Sequence, residues 1–176
     1  MLINFKQNNT KEGILYNKIL LLSRNKFFYA ELALYDTFQN RINLIFMHIA
    51  FIFINMKEKN DNIFYKECSQ KLFDLTFHKI ELNMRELGYG DTQVNKSMKS
   101  LIKNFYNILL VCENYKSKTQ IEKKKIFHNY LSLNNANKTS ENIGLIEYFD
   151  KYQSFCLDLS SDNVLKGELN FTNKYI

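Results

Sequence analysis

The chain has 176 residues, enough for one domain with a substantial hydrophobic core. It contains no proline and only five glycines, which argues against a β-rich or loop-rich protein, because such folds use both residues at their turns. Its three cysteines, Cys68, Cys112 and Cys156, form no C-x-x-C pair and predict reduced, buried thiols rather than a disulfide framework.

The net charge of +6 is concentrated in one region of the chain. Residues 92–128 hold eight lysines and two glutamates, whereas acidic and basic residues balance elsewhere. A local excess of positive charge favours an anionic partner. Two interpretations stay open: a solvated lysine face, which is ordinary for a surface helix, or a surface that binds RNA, the ribosome or an anionic membrane.

The predicted organisation is a flexible N-terminus over residues 1–9, a single helical domain over 10–171 and a tail over 172–176. Thr10 is placed to cap a first helix and Asn25 to cap a short one over 26–34. The run Asp36-Thr37-Phe38-Gln39 has the form of a capping box, in which Asp36 accepts from the third N–H and Gln39 reaches back.

The next helix is the most apolar part of the chain. Residues 44–54 are interrupted only by His48. They are too few to cross a bilayer, which takes about 20 residues. A helix that is apolar all round is one surrounded by other helices, so we expect it at the centre of the bundle. A polar break at 57–61 precedes a long helix over about 62–87.

A helical hairpin is predicted around Gly88. This residue falls where a helix ends in a left-handed conformation, which glycine adopts without a clash. Gly90 is expected to be a second permissive point, and Asp91 to cap the following helix. Apolar residues then recur in one seam, at Val94, Met98, Leu101, Phe105, Ile108 and Cys112, with Lys96, Lys99 and Lys103 on the opposite side.

The last part of the chain predicts a helix ending near 133, a loop at 134–138 and a final helix through 157, capped by Thr139 or Ser140. The fold class that follows is all-α, a single-domain bundle of about six to seven helices around a central apolar helix. The N-terminal residues show neither a signal-peptide core nor a transit-peptide pattern, which favours the cytoplasm.

The sequence contains no recognisable catalytic, metal-binding or phosphate-binding motif, so we expect neither an enzyme nor a cofactor. His48 is either a core histidine with a polar neighbour or a haem or metal ligand that lacks a second ligand. Arg41 and Arg85 are two of only three arginines. Each is either part of an internal ion pair or a contact to a bound client.

Three motifs lie along the chain, one near each end and one at the predicted hairpin. The first is Tyr35-Asp36-Thr37-Phe38 with Arg41 and, after an apolar stretch, His48. The second is R-E-L-G-Y-G-D over residues 85–91, followed by Val94, Lys96, Met98, Lys99, Phe105 and Tyr106. The third is the closing G-E-L-N-F over residues 167–171. Taken together, the three motifs resemble those of the ubiquinol–cytochrome c chaperone family.

The resemblance implies an all-helical, non-enzymatic assembly factor for the ubiquinol–cytochrome c reductase complex, complex III. Its client would be newly made cytochrome b, and its other partners the ribosome exit region, a second assembly factor or the anionic inner-membrane surface, with no small-molecule substrate. A bacterial protein, of the kind common in alphaproteobacteria, would be cytoplasmic and peripheral at the inner membrane, whereas a mitochondrial one would lie on the matrix side.

We expect an apolar client groove beside the Gly88–Asp91 turn. The candidate binding residues are Asp36, Arg41, His48, Arg85, Gly88, Gly90, Asp91, Lys96, Lys99, Lys103, Phe105 and Tyr106.

Overall fold

A computed structural model describes residues 10–59, 63–133, 141–160, 163–164 and 166–171. In these ranges there is no β-strand, and Leu34 and Leu133 form one isolated antiparallel bridge. The predicted all-α bundle is confirmed. Its helices are α1 (Lys11–Ser23), α2 (Lys26–Ala30), α3 (Phe38–Lys59), α4 (Ile63–Glu86), α5 (Asp91–Glu113), a 3-10 turn (Tyr115–Ser117), α6 (Gln120–Tyr130) and α7 (Glu141–Asp158).

Helix α3 is the centre of the bundle, as its composition predicts. It packs against α1, α4, α5 and α7, and every side chain from Leu44 to Ile52 is buried. Across the residues that the structure describes, none of the helices is both long enough and apolar enough to cross a membrane.

Side-chain caps set the beginnings of the first helices. Thr10 Oγ1 accepts from the Gly13 N–H at 3.1 Å, and Asn25 Oδ1 accepts from the Phe27 N–H at 2.8 Å. Both caps are confirmed, although α2 ends at Ala30, before the predicted end at residue 34. Helix α3 runs to Lys59, so the predicted break at 57–61 begins too early; residues 60–62 lie outside the described ranges.

The capping box predicted at the start of α3 is wrong, because neither Asp36 nor Gln39 makes the predicted cap bond. Thr37 Oγ1 accepts from the Asn40 N–H at 3.2 Å, and Gln39 donates to Asn43 instead of reaching back. Asp36 instead accepts two hydrogen bonds from the guanidinium of Arg41. The bidentate guanidinium gives the Asp36 carboxylate two charge-assisted bonds, whereas a cap of the predicted form would give it one, which explains the exchange.

The α4–α5 hairpin turns on Gly88, whose φ is +87°. The Tyr89 N–H donates to the Met84 carbonyl at 3.1 Å and the Gly88 N–H to the Arg85 carbonyl at 3.0 Å, the pattern of a Schellman motif. Only one residue of the turn is therefore left-handed.

The predictions for the next two residues of the turn are corrected. Gly90 has φ −71° and ψ 157°, which any residue adopts, and it is itself the N-cap of α5, without a side-chain cap bond. Asp91 is the first helical residue rather than the cap. Its carboxylate turns back to Arg85 because the guanidinium lies across the turn.

Two buried asparagines on α3 fasten the segment that follows α6. Asn40 Nδ2 donates to the carbonyls of Tyr35 and Ser132, at 2.8 and 2.9 Å, and its Oδ1 accepts from the Ser132 N–H at 2.9 Å. Asn43 Nδ2 donates to the Tyr130 carbonyl at 2.5 Å. These bonds join the start of α3 to the segment that follows α6, and they give the two buried asparagine side chains the partners that buried polar groups need.

The last residues that the structure describes, up to Phe171, pack against α7. Leu169 and Phe171 are buried, and the Phe171 ring lies 5.1 Å from that of Tyr152 on α7. The predicted flexible N-terminus (1–9), the loop at 134–138, the caps Thr139 and Ser140 and the tail (172–176) lie outside the described residues.

Candidate functional site

A cleft of about 570 Å³ opens between α1, α3 and α4. We name it the arginine cleft. It lies beside the hairpin turn, because Leu87, which directly precedes Gly88, forms part of its lining and is 61% exposed. Its apolar lining consists of Leu20, Phe38, Ile42, Ile45, Ile80 and Leu87.

The mouth of the arginine cleft is mostly basic. Asp36 is held by Arg41 in a bidentate pair, with N–O distances of 2.6 and 2.7 Å, and this bonding lowers the pKa of the Asp36 carboxyl. Arg24 and Lys79 also line the cleft. Arg24 is exposed and forms no ion pair with any described residue, so its guanidinium is available to a ligand.

The walls of the arginine cleft follow helical ridges. Phe38, Ile42 and Ile45 recur along α3 at spacings of four and three residues. The facing wall consists of Ile80 and Asn83 on α4 and of Leu87, which directly follows the last residue of that helix. Another helix can pack its side chains into the groove between such ridges, so the shape of the cleft suits a helical segment.

A second cleft, of about 370 Å³, lies between α3, α4 and α5. We name it the phenylalanine cleft because Phe53, Phe73 and Phe105 line it. Phe105 is only 1% exposed, so within this arrangement it supports the cleft rather than meeting a partner directly. Tyr106 is 52% exposed at the edge, with its ring 5.9 Å from that of Phe73.

Arg85 joins the two ends of the hairpin. Its guanidinium bonds to Glu81 on its own helix, at 2.9 Å, and to Asp91 at the start of α5. These partners raise the pKa of Arg85. The pairing agrees with the internal ion pair considered for this arginine, and the structure does not place Arg85 in the lining of either cleft.

His48 is a core residue that no surface partner can reach. It is fully buried, its Nδ1–H donates to the Leu44 carbonyl at 2.6 Å, and its Nε2 accepts from the Tyr148 hydroxyl at 2.8 Å. Burial lowers its pKa from 6.5 to about 4, so the ring is neutral at pH 7. In this conformation His48 therefore cannot contact a client directly. No group of three metal-ligating side chains occurs in the described ranges.

The lysines of residues 92–128 do not form one surface. Lys123 is buried, and its Nζ bonds to Asp150 at 2.7 Å while lying 4.7 Å from the Tyr115 ring centre. Lys96, Lys99 and Lys103 are exposed on α5 and form no ion pair with described residues. The eight lysines therefore divide into the structural Lys123, the three unpaired lysines on α5, and four that lie beyond α5, at Lys116, Lys118, Lys124 and Lys125.

The family model described as Ubiquinol-cytochrome C chaperone matches residues 30–171. The chain belongs to this family. The match spans α3, α4 and α5 in full, and so includes the hairpin, the phenylalanine cleft and most of the arginine cleft. The family is one of chaperones, and a chaperone acts on a client protein.

A solved structure shares the fold of this ubiquinol–cytochrome c chaperone family member. The crystal structure of the Cbp3 homolog from Brucella abortus aligns with a TM-score of 0.79 at 22% sequence identity, covering 96% of this chain and 92% of that one. No curated protein matches the chain. At this identity the likeness supports the fold alone.

The structure brings together only some of the predicted site residues. Asp36 and Arg41 share the arginine cleft, and Tyr106 borders the phenylalanine cleft. Arg24 was not among the predicted site residues, although it lines the arginine cleft. The signal was present, because Arg24 is the third of just three arginines in a lysine-rich chain.

Proposed function

We propose that the chain is a non-enzymatic assembly chaperone of the ubiquinol–cytochrome c reductase complex and that its client is newly made cytochrome b. The family match over residues 30–171 carries this proposal. The two apolar clefts support it, since a membrane-embedded client exposes apolar segments until it is inserted and a holding protein must cover them.

The arginine cleft is the client site in this proposal. Its volume of about 570 Å³ lies within the usual range of binding clefts, and its α3 and α4 walls carry apolar side chains at helix-packing intervals. We propose that one turn-forming or helical segment of cytochrome b lies along these walls. Leu87 would contact it first, because this leucine is exposed at the lip.

Arg24 gives this site a polar end. A wholly apolar segment would cover the Arg24 guanidinium without offering it a partner, and removing an unpaired charge from water is unfavourable. We therefore propose that the bound segment carries an acidic residue or a free backbone carbonyl near Arg24. The Asp36–Arg41 pair is already satisfied and would form a fixed edge of the site.

The proposed place of action is the cytoplasmic face of the inner membrane, where a cytochrome b segment leaves the ribosome and enters the bilayer. A matrix-side location is the equivalent for a mitochondrial chain.

Substitutions at two exposed leucines test the proposal. Each variant is expressed in cells from which the native protein has been deleted. Leu87→Gln places a polar group at the lip of the arginine cleft. Leu21→Gln is the matched control, because Leu21 is 74% exposed on α1 and lies outside the lining of the cleft. We expect the Leu87→Gln cells to lose cytochrome b and assembled complex, and the Leu21→Gln cells to retain both.

An unchanged level of cytochrome b in cells without the chain would refute the proposed function. Equal activity of the Leu87→Gln and Leu21→Gln variants, with cytochrome b still lost when the chain is absent, would leave the function intact and move the client site away from the arginine cleft.

A further inference from the structure

Helix α5 carries a second regular stripe on the side away from the core. The buried seam includes Val94, Leu101 and Phe105. On the opposite side, exposed side chains recur at spacings of three and four residues over about 21 Å of helix. We define this outer stripe by its members Lys96, Lys99, Lys103, Tyr106 and Leu110.

No carboxylate among the described residues pairs with the lysines of the outer stripe. The sequence has no acidic residue from 92 to 112. The carboxylates at the two ends of α5 are already engaged, since Asp91 pairs with Arg85 and Glu113 pairs with Lys57 at 2.8 Å. The three lysines of the stripe form no ion pair with any described residue, whereas Lys123 does.

The second half of the outer stripe is apolar and open to solvent. Tyr106 is 52% exposed and Leu110 is 63% exposed. Tyr106 also lines the phenylalanine cleft together with Leu109 and Phe53, so the apolar surface continues from the stripe into the cleft. Cations and exposed apolar groups thus follow one another along a single helix face.

We propose that the outer stripe of α5 is a docking surface for an anionic phospholipid bilayer. Lysine ammonium groups attract lipid phosphates, while tyrosine and leucine insert at the boundary between headgroups and acyl chains. An RNA backbone would satisfy the lysines, but it offers nothing to Leu110 or to the apolar edge of the cleft. The surface is separate from the arginine cleft, so the proposal does not depend on the identity of the client.

Vesicle binding by the full chain tests the charge. The probes are phosphatidylcholine vesicles with and without phosphatidylglycerol. We expect binding only when phosphatidylglycerol is present. The triple variant Lys96→Gln, Lys99→Gln, Lys103→Gln should bind about a hundredfold more weakly, taking about fivefold for each lysine near an anionic surface. The control triple Lys116→Gln, Lys124→Gln, Lys125→Gln carries the same charge change off α5 and should lose less than about tenfold.

Tryptophan fluorescence tests the insertion, since the chain contains no tryptophan of its own. Leu110→Trp should shift its emission to shorter wavelength when phosphatidylglycerol vesicles are added. Leu21→Trp, at an exposed leucine on α1, should not. The proposal is overturned if the two lysine triples lose equal affinity, if Leu110→Trp emission does not move, or if the chain binds polyuridylate RNA and ignores the vesicles.

Discussion

Replacing Gly88 or Gly90 by serine tests the hairpin bend with one side chain at two positions. An added Cβ meets no atom within 4 Å at either glycine, so neither change is limited by space. The two positions differ in backbone conformation, since Gly88 has φ +87° and Gly90 has φ −71°. Gly88→Ser forces an L-residue into the left-handed region, which costs about 1–2 kcal/mol.

Gly90→Ser should have the opposite sign. Its φ and ψ suit an N-cap, and α5 has no side-chain cap bond, so the serine hydroxyl gains a free N–H of the first turn to accept from. Loss of glycine also lowers the entropy of the unfolded chain. Together these effects should stabilise the protein by about 0.5–1 kcal/mol.

Urea unfolding followed by far-UV circular dichroism measures both free energies, and thermal unfolding provides a second readout. For a chain of this length a change of 1 kcal/mol moves Tm by about 2–4 °C. We expect Gly88→Ser to lower Tm by about 2–8 °C and Gly90→Ser to raise it by about 1–4 °C. Gly88→Asn should fall between wild type and Gly88→Ser, because asparagine tolerates the left-handed region better. Equal losses at the two positions would refute the account of the bend.

Three further predictions concern stability. Burial lowers the pKa of His48 from 6.5 to about 4, so between these pH values the unfolded chain binds more protons than the folded one. The contribution of His48 to the free energy of unfolding should therefore be fully present above pH 6.5 and fall by about 3 kcal/mol as the pH drops to 4. The same pH dependence of urea unfolding in His48→Gln would contradict this. Asn40→Ala removes the three hydrogen bonds by which this buried side chain joins α3 to Tyr35 and Ser132, and it should cost about 2–3 kcal/mol in urea unfolding. Gln39→Ala, at an exposed neighbour, should cost less than about 0.5 kcal/mol, and equal costs would contradict the role of Asn40. Asp36→Asn breaks only the exposed pair with Arg41 and should cost at most about 1 kcal/mol, so a loss of several kcal/mol would show that the pair holds the fold.

Local periodicity predicted the parts of the fold that depend on near neighbours. The seam on α5, the burial of residues 44–52 and the caps at Thr10 and Asn25 all follow from spacings of a few residues. Gly88 was predictable for the same reason, because its conformation is set by the end of one helix. Helical spacing and cap chemistry are encoded in short segments.

Competition between side chains was not predictable from a motif. Asp36 leaves the predicted capping role because Arg41 offers it two charged hydrogen bonds. Leu87 continues the apolar spacing of α4 but lies past the last helical residue, Glu86, and is exposed. In both cases the pattern was present and a neighbouring group or the helix end decided the outcome.

The clefts depend on contacts between distant segments. The arginine cleft unites α1 with α3 and α4, so Arg24 becomes a site residue only after α1 has packed. Asn40 is similar, because its partner Ser132 is 92 residues away. No local pattern in a single sequence predicts such long-range contacts. The chaperone family was predictable nevertheless, because its motifs are short segments of sequence.

The measurement that tests the central claim most directly is site-specific photocrosslinking in living cells. A photoreactive amino acid placed at Leu87, at the lip of the arginine cleft, should capture newly made cytochrome b. The same amino acid at Leu21, which is also exposed and lies on α1, should not. Capture of cytochrome b at neither position, or at both alike, would contradict the account.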